Sequence, residues 1–125
     1  LLAGLASPTE GMIAIDGQVR RSTVENELAI RQKTVFLPAD SWFPADLTGR
    51  DFLLGAGESW GVPVRRLFEH ADRLLSVFQM NAIADSAISG YSTGQRKKIG
   101  LCSALITEAS ILLLDEPFSD GLDPA

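Results

Sequence analysis

The chain has 125 residues, a formal net charge of −5 and 46% hydrophobic residues, enough for one packed domain and too little for two. The acidic balance argues against a nucleic-acid-binding surface as the main activity. The single Cys102 excludes an internal disulfide and fits a reduced setting, no Cys–His cluster suggests a metal centre, and no apolar run approaches the length of a membrane span.

Leu1 to Ala6 reads as the last turns of a helix, stopped at Ser7-Pro8. This start has no initiator Met and no basic leader, so it reads as a fragment opening in mid-element rather than as a signal peptide. Gly11 to Gly17 reads as a strand with a turn at Asp16-Gly17. Gln18 to Lys33 is polar and reads as a loop and a short helix, with Arg20, Arg21, Glu25, Glu27 and Arg31 on a solvated surface. Thr34 to Leu37 reads as a buried strand ended by Pro38. The aromatic loop Ser41-Trp42-Phe43-Pro44 suits either internal packing or a partner groove.

Thr48-Gly49-Arg50-Asp51 has the form of a helix cap, with an acid at the third helical position. The helix it opens runs through Phe52, Leu53 and Leu54 and weakens at Gly55 and Gly57. Pro63 opens a second helix, on which Val64, Leu67, Phe68, Ala71, Leu74, Leu75 and Phe78 form one apolar face. His70 lies beside that face and reads as a surface or boundary residue. Asn81 to Ser89 is a connector.

Gly90 to Gln95 reads as a turn leading into a helix, capped by Ser92 or Thr93. Unsatisfied N–H groups and the helix dipole at such a start favour an anion such as phosphate. Arg96-Lys97-Lys98 in the next turns reads as a solvated face or as added attraction for phosphate, while Ile99, Leu101, Cys102, Leu105 and Ile106 line a buried side. Ile111 to Leu114 is an apolar run suited to a parallel strand covered on both faces. It ends in Asp115-Glu116-Pro117, which places carboxylates at the carboxyl edge of a sheet, where open α/β folds bind ligands. One carboxylate there can hold Mg²⁺ through water, and its neighbour can orient or deprotonate an attacking water.

These motifs, in this order, resemble the ATP-binding cassette (ABC) family of ATPases. Tyr91-Ser92-Thr93-Gly94-Gln95 resembles the signature, usually Leu-Ser-Gly-Gly-Gln. Ile111 to Asp115 resembles the Walker B strand, and Ser119-Asp120-Gly121-Leu122-Asp123-Pro124 the D-loop with one extra residue. The resemblance implies that Ser92, Thr93, Gly94 and Gln95 contact ATP held by an opposite cassette, that Asp115 binds Mg²⁺ indirectly, that Glu116 is the catalytic glutamate and that Asp123 acts at the dimer interface. The chain departs from the family at three points. Thr93 replaces the first signature glycine. Ala39, followed by Asp40, stands where the Q-loop glutamine is usual. No Gly-x-x-x-x-Gly-Lys-Ser/Thr loop occurs anywhere in the sequence.

The expected fold is therefore α/β, a P-loop NTPase-type parallel sheet with an inserted α-helical subdomain, truncated at both ends. Residues 1–45 would be a partial ATPase core beginning with the end of the P-loop helix, 46–90 the helical subdomain, and 91–125 the signature helix, Walker B strand and D-loop. The expected parent is the ATP-hydrolysing subunit or domain of an ABC transporter, exporter-type slightly favoured, on the cytoplasmic face of the membrane. Its partners would be a second cassette and a transmembrane subunit, with no nucleic acid, and its cofactors ATP and Mg²⁺. Lacking the P-loop lysine, the 125 residues alone are expected not to hydrolyse ATP. A non-catalytic or regulatory cassette, or a soluble cassette ATPase of DNA repair or translation, is the alternative.

Overall fold

A computed structural model describes residues 2–118. Near its start lies an antiparallel hairpin of β1 (Ala14–Ile15) and β2 (Gln18–Val19). The linking residues Asp16 and Gly17 both have positive φ, 51° and 76°. Two such residues make the two-residue turn whose twist matches the strands, and Asp-Gly is the pair that tolerates it. The turn lies where the sequence places it, although the strand before it is shorter than Gly11–Gly17 and the polar stretch after it supplies the second strand.

Residues 2–6 form turns and bends, not the end of a helix. Gly4 sits at φ 84°, a conformation that stops a helix. Two arginines hold the segment instead. Arg20 Nε donates to the Leu2 carbonyl at 2.9 Å, Arg21 Nη2 to the Gly4 carbonyl at 2.7 Å, and Arg21 Nη1 to Ser7 Oγ. Arg20 also pairs with Glu27, and their side chains are only 6% and 18% exposed. The expected solvated surface thus includes an ion pair whose side chains are largely covered. Glu27 stands on α1 (Val24–Lys33), which starts where Thr23 Oγ1 accepts the Asn26 N–H.

α1 runs directly into β3 (Thr34–Leu37), which pairs in parallel with β4 (Ile111–Leu114) in the register Thr34↔Ile111 to Leu37↔Leu114. Parallel neighbours need a long crossover. Here it is a helical body: α2 (Gly49–Ser59), α3 (Val64–Val77), short 3-10 turns at Asn81–Ile83 and Ile88–Gly90, and α4 (Thr93–Leu105). Thr48 caps α2 by accepting the Asp51 N–H at 3.1 Å, as its sequence suggests, and α2 continues through Gly55 and Gly57. Gly57 persists for a packing reason: a Cβ there would overlap Leu67 of α3, which is itself buried.

Leu53, Leu67, Ala71, Leu74, Leu75, Met80, Ile88, Ile99, Cys102 and Ile106 share one buried cluster. The predicted apolar face of α3 is narrower than its periodicity suggests, because Val64 and Phe68 are 59% and 56% exposed. Arg50 joins the layers, pairing with Asp72 of α3 and, at 2.8 Å, with Asp85 of the connector. His70 is a boundary residue, as expected, with Nδ1 3.7 Å from Glu108. Among the described residues, no helix is long and apolar enough to cross a membrane.

Cys102 is fully buried and unpaired, and burial pushes its thiol up to about 12 from 9.0. It should therefore resist iodoacetamide at pH 8 in the native full-length protein and react on unfolding, as read by mass spectrometry of its peptide. The raised value has a second consequence. The stabilisation it carries is whole below the thiol's unfolded value near 9.0 and is lost as pH rises towards about 12.

Candidate functional site

The carboxyl edge of the β3–β4 pair organises the site. The ladder continues one step past β4, where the Asp115 N–H donates to the Leu37 carbonyl at 3.0 Å. That bond fixes Asp115 beside the point where Pro38, Ala39 and Asp40 leave β3. Glu116 follows in the left-handed region, with φ 46°. For a non-glycine residue this costs about 1–2 kcal/mol, and the Pro117 that follows normally favours extended backbone before it. The chain therefore turns sharply at the second carboxylate.

α4 approaches the same edge with its N-terminus. Ser92 is its cap: Ser92 Oγ accepts the Gln95 N–H at 3.2 Å, and Gln95 Oε1 accepts the Ser92 N–H at 2.8 Å. This reciprocal box satisfies donors at the helix start. A hydroxyl that accepts in this way still carries a proton to donate. Thr93 occupies the first helical position and Gly94 the second, and Thr93 does not have positive φ. The replacement of the first signature glycine is thus compatible with the backbone here, because no left-handed residue is needed.

A cleft of about 210 Å³ lies between the strand edge and α4, lined by Pro38, Ala39, Asp40 and Phe43, by Thr93, Arg96 and Lys97, and by Asp115 and Glu116. The structure thus brings together three of the predicted site residues, Asp115, Glu116 and Thr93. Ser92, Gly94 and Gln95 stand at the adjacent helix start but do not line the cleft. Asp123 and the rest of the D-loop lie outside the described residues. Arg96 and Lys97 belong to the cleft rather than to a purely solvated face, and Arg96 Nη2 also donates to the Ser89 carbonyl at 3.2 Å. Asp40, the residue after Ala39, lies on this wall as well.

The donor set can be tested against a divalent cation. Among the described residues no group of three or more His, Cys, Asp or Glu side chains could hold a metal ion. The cleft offers separate carboxylates rather than a complete protein cage. Mg²⁺ suits such a site, because it keeps several waters and binds through one or two carboxylates plus the phosphates of a substrate. The basic side chains and the capped helix start independently favour an anion.

A parallel α/β edge carrying adjacent carboxylates and facing a capped helix start is an arrangement of the α/β, P-loop NTPase-type fold. The sequence model of the ABC transporter family matches residues 1–119, and the chain belongs to that family. It is 34% identical over 124 residues to the ABC transporter ATP-binding protein YxlF of Bacillus subtilis, covering 99% of this chain and 39% of that protein. It is 32% identical over 124 residues to the Nod factor export ATP-binding protein I of Sinorhizobium fredii, covering 99% of this chain and 35% of the relative. A solved ATP-binding subunit of an ABC transporter superposes with a TM-score of 0.81 at 25% identity, over 98% of this chain and 50% of that one. The chain therefore spans well under half the length of these two relatives and half of the solved subunit.

Proposed function

We propose that these residues supply the Walker B strand and the signature helix of an ATP-hydrolysing ABC transporter subunit or domain. The observation that carries this reading is the cleft itself, where Asp115 and Glu116 at the end of β4 face Thr93, Arg96 and Lys97 of α4. In this reading Asp115 holds Mg²⁺ through water, and the ion when bound offsets phosphate charge. Glu116 orients the attacking water and accepts its proton. Ser92, through its hydroxyl proton, and Thr93, Gly94 and Gln95, through the helix start, engage the γ-phosphate of ATP held by a second cassette. Asp123 acts between the two cassettes. The phosphate cradle Gly-x-x-x-x-Gly-Lys-Ser/Thr is absent from this sequence, so in this reading residues 1–125 alone do not turn ATP over.

The subdivision we propose is 1–45 as part of the nucleotide core, 46–90 as the helical subdomain and 91–125 as the signature and Walker B unit. The second element is a transmembrane partner, with the cassette on the cytoplasmic face of the membrane. Trp42 is 84% exposed and stands at a groove of about 280 Å³ with Phe43, Ala45, Ile88, Ser89 and Arg96. An exposed aromatic beside a groove suits protein docking. Phe43 itself is committed to packing, edge-on to Phe52 at 5.4 Å. The Nod factor export relative favours export as the direction. One observation favours a regulatory cassette instead: Ala39, which has no side-chain donor or acceptor, lines the cleft where the family's glutamine is usual.

Phosphate release from ATP by the full-length protein, titrated with Mg²⁺, tests the reading. We expect Mg²⁺-dependent turnover. Asp115→Asn should raise the Mg²⁺ concentration needed for half-maximal rate by about ten- to a hundredfold, as for other groups that bind a metal through its outer shell. Wild-type protein that releases no phosphate at any Mg²⁺ concentration would exclude the catalytic reading and leave the regulatory one.

A further inference from the structure

We propose that Tyr91 is a positioning residue whose hydroxyl latches the signature turn to the connector and seats it against the start of α2, and through that seam to the loop leaving β3. The inference rests on the nucleotide reading above for its consequence, and on geometry alone for the latch. Tyr91 is 6% exposed, and its hydroxyl donates to the Ile83 carbonyl at 2.6 Å. The same oxygen lies against Gly49, the first residue of α2, closely enough that a Cβ there would overlap it. One hydroxyl therefore closes a carbonyl of the connector and seats against the first turn of α2.

The latch ends a longer seam. The Ile88 N–H donates to the Leu47 carbonyl at 2.9 Å, the Ser89 N–H to the Ala45 carbonyl at 3.4 Å, and the Arg50 N–H to the Ala84 carbonyl at 2.9 Å. Arg50 Nε reaches Asp85 at 2.8 Å. Segments 45–50 and 83–91 are thus stitched along their length, and the last side chain in the seam is covalently next to the capping Ser92. A leucine, usual at this position in the signature, could fill the space but could not make the bond to Ile83. Position 49 is matched to the tyrosine: a Cβ on Gly49 would overlap the Tyr91 hydroxyl and press on Ile99 Cδ1 at 3.2 Å. The orientation of Ser92 is therefore set by the outgoing end of the loop that carries Asp40 and Trp42.

The test uses the full-length protein and two readouts, amide hydrogen exchange and ATP turnover. In Tyr91→Phe, which keeps the ring and removes the hydroxyl, amides of residues 84–96 should exchange about tenfold faster, the effect of about one buried hydrogen bond. Amides of α3 should not change. The kcat for ATP should fall by a similar factor while KM stays near the wild-type value, because first binding of ATP does not use the signature. Gly49→Ala should loosen the same amides. Gly49→Ala combined with Tyr91→Phe should be no worse than either change alone, since the colliding atom is gone.

Unchanged exchange at 84–96 in Tyr91→Phe would overturn the latch. So would faster exchange with kcat unaltered in a protein that hydrolyses ATP, because Tyr91 would then be structural only. So would losses that add in the double variant. Wild-type protein without turnover would refute the nucleotide reading, and the exchange comparison would still decide the latch.

Discussion

Replacing Leu75 with alanine is expected to lower the unfolding free energy of the helical body by about 2–5 kcal/mol, the range for a fully buried leucine. Leu75 is 0% exposed on α3, in a cluster with Leu53 of α2, Met80 and Ile88 of the connector, and Ile99 of α4. The truncation removes buried methyl groups, and a close-packed surround relaxes only in part. The consequence reaches the site through α4. Ile99 and Cys102, on the same helix that Ser92 caps, lean on this cluster. Urea denaturation of the full-length protein gives the free energy, and hydrogen exchange shows whether α2, α3 and α4 lose protection together. Phe68→Ala on the same helix is the contrast. At 56% exposure it should cost well under half as much. Equal losses at the two positions would show that the packing described for α3 is wrong.

Much of the site was legible in the sequence because its signals are local. A hydroxyl before a helix with glutamine three residues on is a cap, and Ser92 and Gln95 make that box. An apolar run ending in two acids is a strand with carboxylates at its edge, and β4 ends so. What was misread depended on partners distant in the chain. Leu1–Ala6 has the composition of a helix end, but Arg20 and Arg21 hold the backbone of residues 2–6 in turns. Helical periodicity assigned Val64 and Phe68 to the core, yet it cannot say how wide a stripe the neighbouring helices cover. Arg20 and Glu27 read as surface charges until the fold brought them together.

The latch at Tyr91 was missed for the same reason, since Ile83, which accepts its bond, and Gly49, which packs on it, belong to other elements. Two signals could have raised it: a tyrosine where leucine is usual, and a glycine at the first position of a helix, where no glycine is needed for its conformation. Thr93 shows the opposite case. A β-branched residue stands there in place of a glycine, and the backbone is an ordinary first helical turn that accepts it.

Glu116→Gln in the full-length protein is expected to slow ATP hydrolysis by about 10²–10⁴-fold, the usual worth of a positioned general base. Glutamine matches glutamate in shape and keeps an oxygen that accepts a hydrogen bond, but it takes no proton from water. Shape matters at this position. Residue 116 holds φ at 46° before a proline, and an isosteric side chain leaves that backbone problem as it was. Nucleotide affinity should therefore persist, because the groups proposed to grip phosphate lie elsewhere, at Ser92, Gly94 and outside these residues. Strain of this kind is tolerated where surrounding structure over-determines the conformation, and the Asp115 N–H bond to Leu37, one residue earlier, supplies such a constraint.

The most direct test is the ratio of single-turnover phosphate release in wild-type and Glu116→Gln full-length protein, measured at equal ATP occupancy. The expected ratio is about 100 or more, with ATP affinity unchanged. A ratio near one, with both proteins hydrolysing, would remove Glu116 from the chemistry and contradict the assignment of this strand edge as the catalytic side of the site.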